Sequence, residues 1–202
     1  MRKMTNNTHN KNISGFLILI IFLTLVGTNL LTASDRPGFD LGCTFGLRTL
    51  NNADLKDVYS NGINIYPSLN LSWHGLMVGL AYEAGFKREG LIGLYQEQAS
   101  LTVSGPEFFL GYELSLGPIA PYLKVGYGLY SYNQKISSEY LQDFPVKGTK
   151  GSIMFGGGFK IFPVKKLYLT AEARYSQIKV KPYDVEVDVG GLRLNGGLGF
   201  RF

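Results

Sequence analysis

The 202-residue chain has little of what most small-protein chemistry requires. A single cysteine, Cys43, cannot form an internal disulfide, which excludes a cysteine-stapled secreted scaffold and a Cys-rich zinc module. Two histidines exclude a multi-histidine metal site. No second long apolar run follows the one near the N-terminus, so a bundle of membrane-spanning helices is excluded. Charged residues make up only 17%. What is abundant is glycine, with 26 residues, and aromatic side chains, with 13 Tyr and 13 Phe. A hydrophobic fraction of 45% is too high for disorder, yet the mean hydropathy is only +0.04. The length suits one domain.

The N-terminus carries Arg2, Lys3 and Lys11 and no acid. Residues 13–31 are apolar apart from Ser14, Thr24, Thr28, Asn29 and a few glycines, and small residues Thr32, Ala33 and Ser34 follow. This order predicts a cleaved secretory signal peptide helix over 1–33, with 34–202 as the single mature domain. An uncleaved membrane anchor is the alternative, since the apolar stretch approaches the length of a span. Removing three of the 20 bases and none of the 15 acids takes the formal charge from +5 to +2. Nucleic-acid binding then has no electrostatic motive.

In the remainder the dominant period is two. Phe39, Leu41, Cys43, Phe45 and Leu47 alternate with Asp40, Gly42, Thr44, Gly46 and Arg48. Ile63, Ile65, Pro67, Leu69, Leu71 and Trp73 do the same, and so do Leu76, Val78, Leu80, Tyr82, Ala84 and Phe86. Short turns are expected at His74-Gly75, over 117–120 and over 163–166, the first with glycine supplying a positive φ. Longer connections fall at about 49–61, 88–98, 133–148 and 177–189. Short and long connections alternate strictly, which predicts an all-β, eight-stranded, antiparallel up-and-down sheet with every long loop at one end. Gly105-Pro106 interrupts the fourth strand and is expected to be a bulge or break, with Leu101 and Val103 out of phase with Phe108 onward.

Long strands with open edges would aggregate, so the sheet is expected to close. A soluble lipocalin-like barrel would need a charged outer face, and the polar faces here carry too few Lys and Glu for one. The apolar faces match a transmembrane strand in length. Trp73, Phe162, Tyr168, Phe200 and Phe202 are expected to form an aromatic girdle near the short turns. A transmembrane β-barrel follows, with Cys43 toward lipid and the glycines on the inner face. There the small residues make room for Tyr66, Lys160 and Arg201 and for the ion-pair candidates Glu83, Glu113, Lys124, Glu172, Arg174 and Arg193. Glu113 is expected opposite Lys124. These charges are expected to pair and plug the barrel, because an unpaired buried charge is costly.

Several motifs are similar to those of small bacterial outer-membrane β-barrel proteins of the OmpA-transmembrane-domain and OmpX type. They are Pro121-Tyr122-Leu123 followed by Gly126-Tyr127-Gly128, the run Ala171-Glu172-Ala173-Arg174-Tyr175, and the C-terminal strand. In that strand Asn195, Gly197, Phe200 and Phe202 match the family's barrel-assembly signal. The resemblance covers about residues 38–202 and implies a bacterial outer membrane location. It also implies export through the inner membrane, escort by periplasmic chaperones, recognition by the barrel assembly machinery and contact with outer-membrane lipid. A monomer is expected.

The expected role is that of a noncatalytic envelope scaffold whose four surface loops serve adhesion, envelope stability or defence. The loops mix charges of both signs, so no ligand is announced. No catalytic, cofactor-binding or metal residue is assigned. The alternatives are an outer-membrane lipid-modifying enzyme and a barrel that binds or transports a small molecule. The first lacks a histidine beside a nucleophile, because His74 lies in a short turn. The second needs a lateral opening, for which Gly105-Pro106 is the candidate wall defect. Replacing Phe202 with aspartate is expected to abolish assembly, so that no heat-modifiable form appears on a gel of the outer-membrane fraction. Normal insertion of that variant would contradict the terminal-signal reading.

Overall fold

The computed structural model describes residues 37–137, 144–180 and 186–202. The expected signal peptide lies outside the described residues. Eleven strands follow in order: β1 (Gly38–Arg48), β2 (Gly62–Trp73), β3 (Leu76–Gly85), β4 (Arg88–Ile92), β5 (Glu97–Glu113), β6 (Ile119–Ser137), β7 (Phe144–Val164), β8 (Leu167–Ser176), β9 (Lys179–Val180), β10 (Val187–Asp188) and β11 (Gly191–Arg201). One short helix, α1 (Ala53–Tyr59), stands between β1 and β2. It is capped by Asn52, whose side-chain oxygen accepts from the Leu55 amide at 2.9 Å.

Eight of the strands close on themselves in the order β3-β2-β1-β11-β8-β7-β6-β5, with β3 pairing back to β5. Every pairing is antiparallel, and alternation along the strands separates two faces across the barrel wall. Leu41, Phe45, Leu47, Leu69, Leu80, Leu110, Val125, Phe155, Leu169, Leu194 and Leu198 are exposed around the outside. Asp40, Arg48, Asn64, Glu83, Glu107, Glu113, Lys124, Lys160, Glu172, Arg174, Arg193 and Asn195 are buried inside. A water-soluble fold would have the opposite arrangement, so the outer belt is a surface built for hydrocarbon. The His74-Gly75 turn has φ of 49° and 82°, the left-handed pair that a two-residue hairpin requires.

Several expectations are corrected. Gly105-Pro106 is not a bulge: Ser104 pairs with Ser131 and Glu107 with Gly128 in one unbroken register, while Glu83 and Tyr82 pair with Gly105 and Pro106. Glycine is required at 105 because a Cβ there would collide with the backbone of Leu129 and Tyr130. Leu101 and Val103 are out of phase with Phe108, as expected, but no break causes it. They share the inward parity of Glu107 and Phe109, and what changes along β5 is the polarity of the interior, which becomes apolar near the long-loop end. The single register shift of the β7–β8 pair lies between Ile161 and Val164, beside Pro163.

The second short turn is tighter than expected, because Leu116 bridges Ile119 across Gly117-Pro118. That moves the register by two residues, so Glu113 faces Tyr122 and Lys124 faces Gly111 rather than each other. Tyr168 and Phe162 do not belong to the girdle. Tyr168 is buried inside the barrel with Phe162 packed on it at 5.6 Å, whereas Trp73, Phe200 and Phe202 do face outward. The long connections are also more ordered than their composition implied, holding α1, β4, β9, β10 and the upper parts of β6 and β7.

Candidate functional site: a packed interior beneath a projecting sheet

Strand lengths divide the molecule into an anchor and a projection. β1, β2, β3, β8 and β11 span 10 to 12 residues, about the height of a bilayer at the usual tilt, while β5, β6 and β7 run to 17, 19 and 21. The surplus of these three strands, joined by β4, rises as a four-stranded sheet beyond the long-loop rim.

The interior charges form connected groups. At the short-turn end, Asp40 and Glu113 each contact Lys160 at 2.6 Å, and Arg201 lies 2.6 Å from Asp40 and 2.8 Å from Glu113. In the middle, Glu172 receives Lys124 at 2.6 Å, the Tyr122 hydroxyl at 2.7 Å and Arg174 Nε at 2.7 Å. Lys124 Nζ also lies over the Phe109 and Tyr66 rings at 4.6 and 4.9 Å. Toward the long loops, Glu83 meets Arg48 at 2.8 Å and Arg193 at 2.6 Å. Glu107 accepts from the hydroxyls of Tyr66 and Tyr130 at 2.7 and 2.6 Å and pairs with Arg174 at 3.1 Å. All six interior candidates are therefore inside the barrel and engaged, although Glu113 and Lys124 have other partners than each other.

Asp40, Arg48 and Glu107 were missing from that candidate set. Glu107 and Asp40 each engage three side chains, and the inward parity of Glu107 follows from Glu113 by counting back six residues through Gly111 and Phe109. The presumed break at Gly105-Pro106 hid it.

Above the charges sits an apolar cap. Leu50, Tyr59 of α1, Ala99, Leu101, Val103, Tyr130, Ile178, Val180 and Val189 form one buried cluster, with Leu55, Val58 and Ile92 packed against it. Tyr130 belongs to both layers, its ring in the cap and its hydroxyl on Glu107. The Gln134 amide donates to the Tyr59 hydroxyl at 2.9 Å, and burial pushes that hydroxyl above its ordinary pKa while the hydrogen bond acts the other way. Lower down, a cavity of about 30 Å³ among Tyr66, Met77, Lys124, Lys160 and Glu172 has room for about one or two waters. Among the described residues the lumen is occupied by side chains, as in other narrow barrels.

On the projecting sheet, a groove of about 360 Å³ is lined by Lys87, Glu89, Leu91, Gln98, Ser100, Lys135 and Ser137. At the tip of the β4–β5 hairpin, Leu94 and Tyr95 are 91% and 79% exposed, held there by left-handed Gly93 and Gln96. His74 lies at the opposite end of the molecule, against Trp73 at 5.0 Å. Among the described residues no group of three or more metal-ligating side chains is found. Asn195, Gly197 and Phe200 lie on β11 and Phe202 directly follows it, with Asn195 and Gly197 turned inward and Phe200 and Phe202 exposed on the outside.

Glu107→Gln would leave Arg174 short of a carboxylate in a buried layer. A loss of about 3–5 kcal/mol in folding stability is expected from a urea titration in lipid vesicles. Glu89→Gln, which removes only the exposed pair with Lys87, is expected to leave the midpoint unchanged. Equal midpoints for both variants would contradict the network.

Comparison with known proteins agrees with this geometry. Neisserial surface protein A superposes with a TM-score of 0.55 at 14% identity, covering 83% of this chain and 99% of that one. Ail, the attachment invasion locus protein of Yersinia pestis, solved with the heparin analogue sucrose octasulfate, gives 0.51 at 16% identity over 82% and 97%. No curated protein sequence matches significantly. The family model described as the outer membrane protein beta-barrel domain matches residues 18–202. With the closed barrel and its apolar belt, that match makes the chain a bacterial outer-membrane protein and a member of the outer membrane protein beta-barrel domain family.

Proposed function

We propose that this protein is a noncatalytic surface protein in which the barrel is an inert anchor and the projecting sheet makes the contacts, in adhesion or in defence of the envelope. The observation that carries this reading is the surplus length of β5, β6 and β7, which lifts a polar sheet well clear of the lipid belt and ends in the exposed Leu94-Tyr95 tip. A barrel that worked through its lumen would gain nothing from that projection, and its interior would not be filled by paired charges under an apolar cap. Exposed apolar side chains at the tip of a hydrogen-bonded hairpin are what recognition of another surface uses. Ail, which shares the fold, is named for attachment and invasion.

The lipid-modifying and small-molecule alternatives are less well supported. An acyl-transfer or hydrolytic site needs a base beside a nucleophile at the lipid surface, and His74 is in the short turn away from the projecting sheet. Passage of a small molecule through the wall loses its candidate opening, because β5 is paired on both sides at Gly105 and Pro106 or their immediate neighbours.

The test uses a non-adherent strain expressing the full chain. Expression is expected to confer surface attachment or serum survival, and Leu94→Ser with Tyr95→Ser is expected to reduce it severalfold while the heat-modifiable barrel persists. Unchanged phenotypes in all strains, or an altered lipid A acyl pattern on expression, would overturn the reading.

A further inference from the structure

The charges inside the barrel do not balance, and the surplus lies toward the long-loop end, where Arg174 is shared between Glu107 and Glu172. The short-turn group is neutral, with Asp40 and Glu113 against Lys160 and Arg201. The middle pair, Lys124 with Glu172, is neutral as well. The layer beneath the apolar cap has three guanidiniums, from Arg48, Arg174 and Arg193, and among the described residues only two buried carboxylates, from Glu83 and Glu107. One positive charge is left over among these five side chains, each 1% exposed or less, and the half-buried Arg88, whose guanidinium donates to the Ser60 carbonyl at the rim, adds no negative charge to offset it.

The three arginines are neighbours by construction of the sheet. Arg48 of β1 is the register partner of Arg193 of β11, which is in turn the register partner of Arg174 of β8, and all three point inward. Like charges side by side on one face repel. Their guanidiniums converge on Glu83, at 2.8 Å from Arg48, 2.6 Å from Arg193 and 3.8 Å from Arg174. Buried nitrogens without a hydrogen bond remain on each guanidinium: Nε of Arg48, and Nη2 of Arg174 and of Arg193, whose Nε atoms also lack one but lie in ion pairs with Glu172 and Glu83. Asn64, fully buried on β2 two residues from the partner of Arg48, has neither its amide nitrogen nor its oxygen hydrogen-bonded.

We propose that this layer binds a small monovalent anion of chloride size, held by the free N–H groups of Arg48, Arg174 and Arg193 with the Asn64 amide. One such ion supplies the missing charge and an acceptor for donors that would otherwise be buried unpaired, each at a cost. A water molecule accepts hydrogen bonds but does not neutralise the layer. Phosphate and sulfate carry a second charge that would reverse the imbalance. The ion enters as the barrel closes and is part of the folded structure, in the way buried waters are. No lipid or surface ligand is involved.

The test starts from the intact folded protein in detergent. Crystals grown or soaked in sodium bromide are expected to give an anomalous peak between the three arginines and Asn64. The unfolding midpoint is expected to be about 2–4 °C higher in sodium chloride or bromide than in sodium gluconate at the same ionic strength. Arg48→Met, which removes the surplus charge and leaves Arg193 on Glu83, is expected to abolish that difference. Anomalous peaks confined to the outer surface would overturn the site, as would equal midpoints in halide and gluconate. The bromide experiment on the unaltered protein decides the matter even if Arg48→Met does not fold.

Discussion

Lipid offers no hydrogen-bond partner to a peptide group, and the rest of this molecule depends on that fact. A strand that crosses hydrocarbon must be paired on both sides, so the sheet closes through the β3–β5 and β1–β11 pairings. Closure with eight strands makes the barrel narrow, and narrowness fixes what the interior can be. Alternation then sends every second side chain into that confined space and the rest into lipid. The glycine content follows from crowding. At Gly105 the neighbouring Leu129–Tyr130 backbone leaves no room for a Cβ, and at Gly46 the Leu194 carbonyl does the same.

Confinement also decides the electrostatics. Charges of both signs meet at short distances with little water, where an unpaired ion costs several kcal/mol and a network is tolerated only if its members satisfy one another. Glu107 shows how this is done, accepting from two tyrosine hydroxyls while it faces Arg174. Tyr130 ties that layer to the apolar cap, so the ionic core and the hydrophobic plug are one structure. Above them the constraint is lifted, because water can serve exposed peptide groups. There β5, β6 and β7 continue as an open sheet with β4 on its flank.

Much of this was legible in the sequence because a period of two is unambiguous once strands reach ten residues. Phe39 to Arg48 declared both faces of β1, and the alternation of short and long connections declared the meander. Glu83, Glu172, Arg174 and Arg193 were placed inside by parity alone. What parity cannot give is register across a turn, and the two-residue Gly117-Pro118 turn moved Glu113 away from Lys124. Polarity also misled where it changed along a strand. Leu101 and Val103 point inward like Glu107, but they meet an apolar cap rather than ions. Tyr168 and Phe162 carried no mark to distinguish a girdle residue from one that lines the mouth of the barrel. Nor does 49–61 advertise α1, whose two capped turns pack Tyr59 into the cap.

If the protein works from its surface, as proposed, the barrel is sealed. Planar-bilayer recording of the refolded full-length protein tests it most directly. The account predicts no sustained ion conductance above that of the bare membrane, because the paired charges and the cap fill the lumen. Stable single-channel steps from the purified barrel would contradict it.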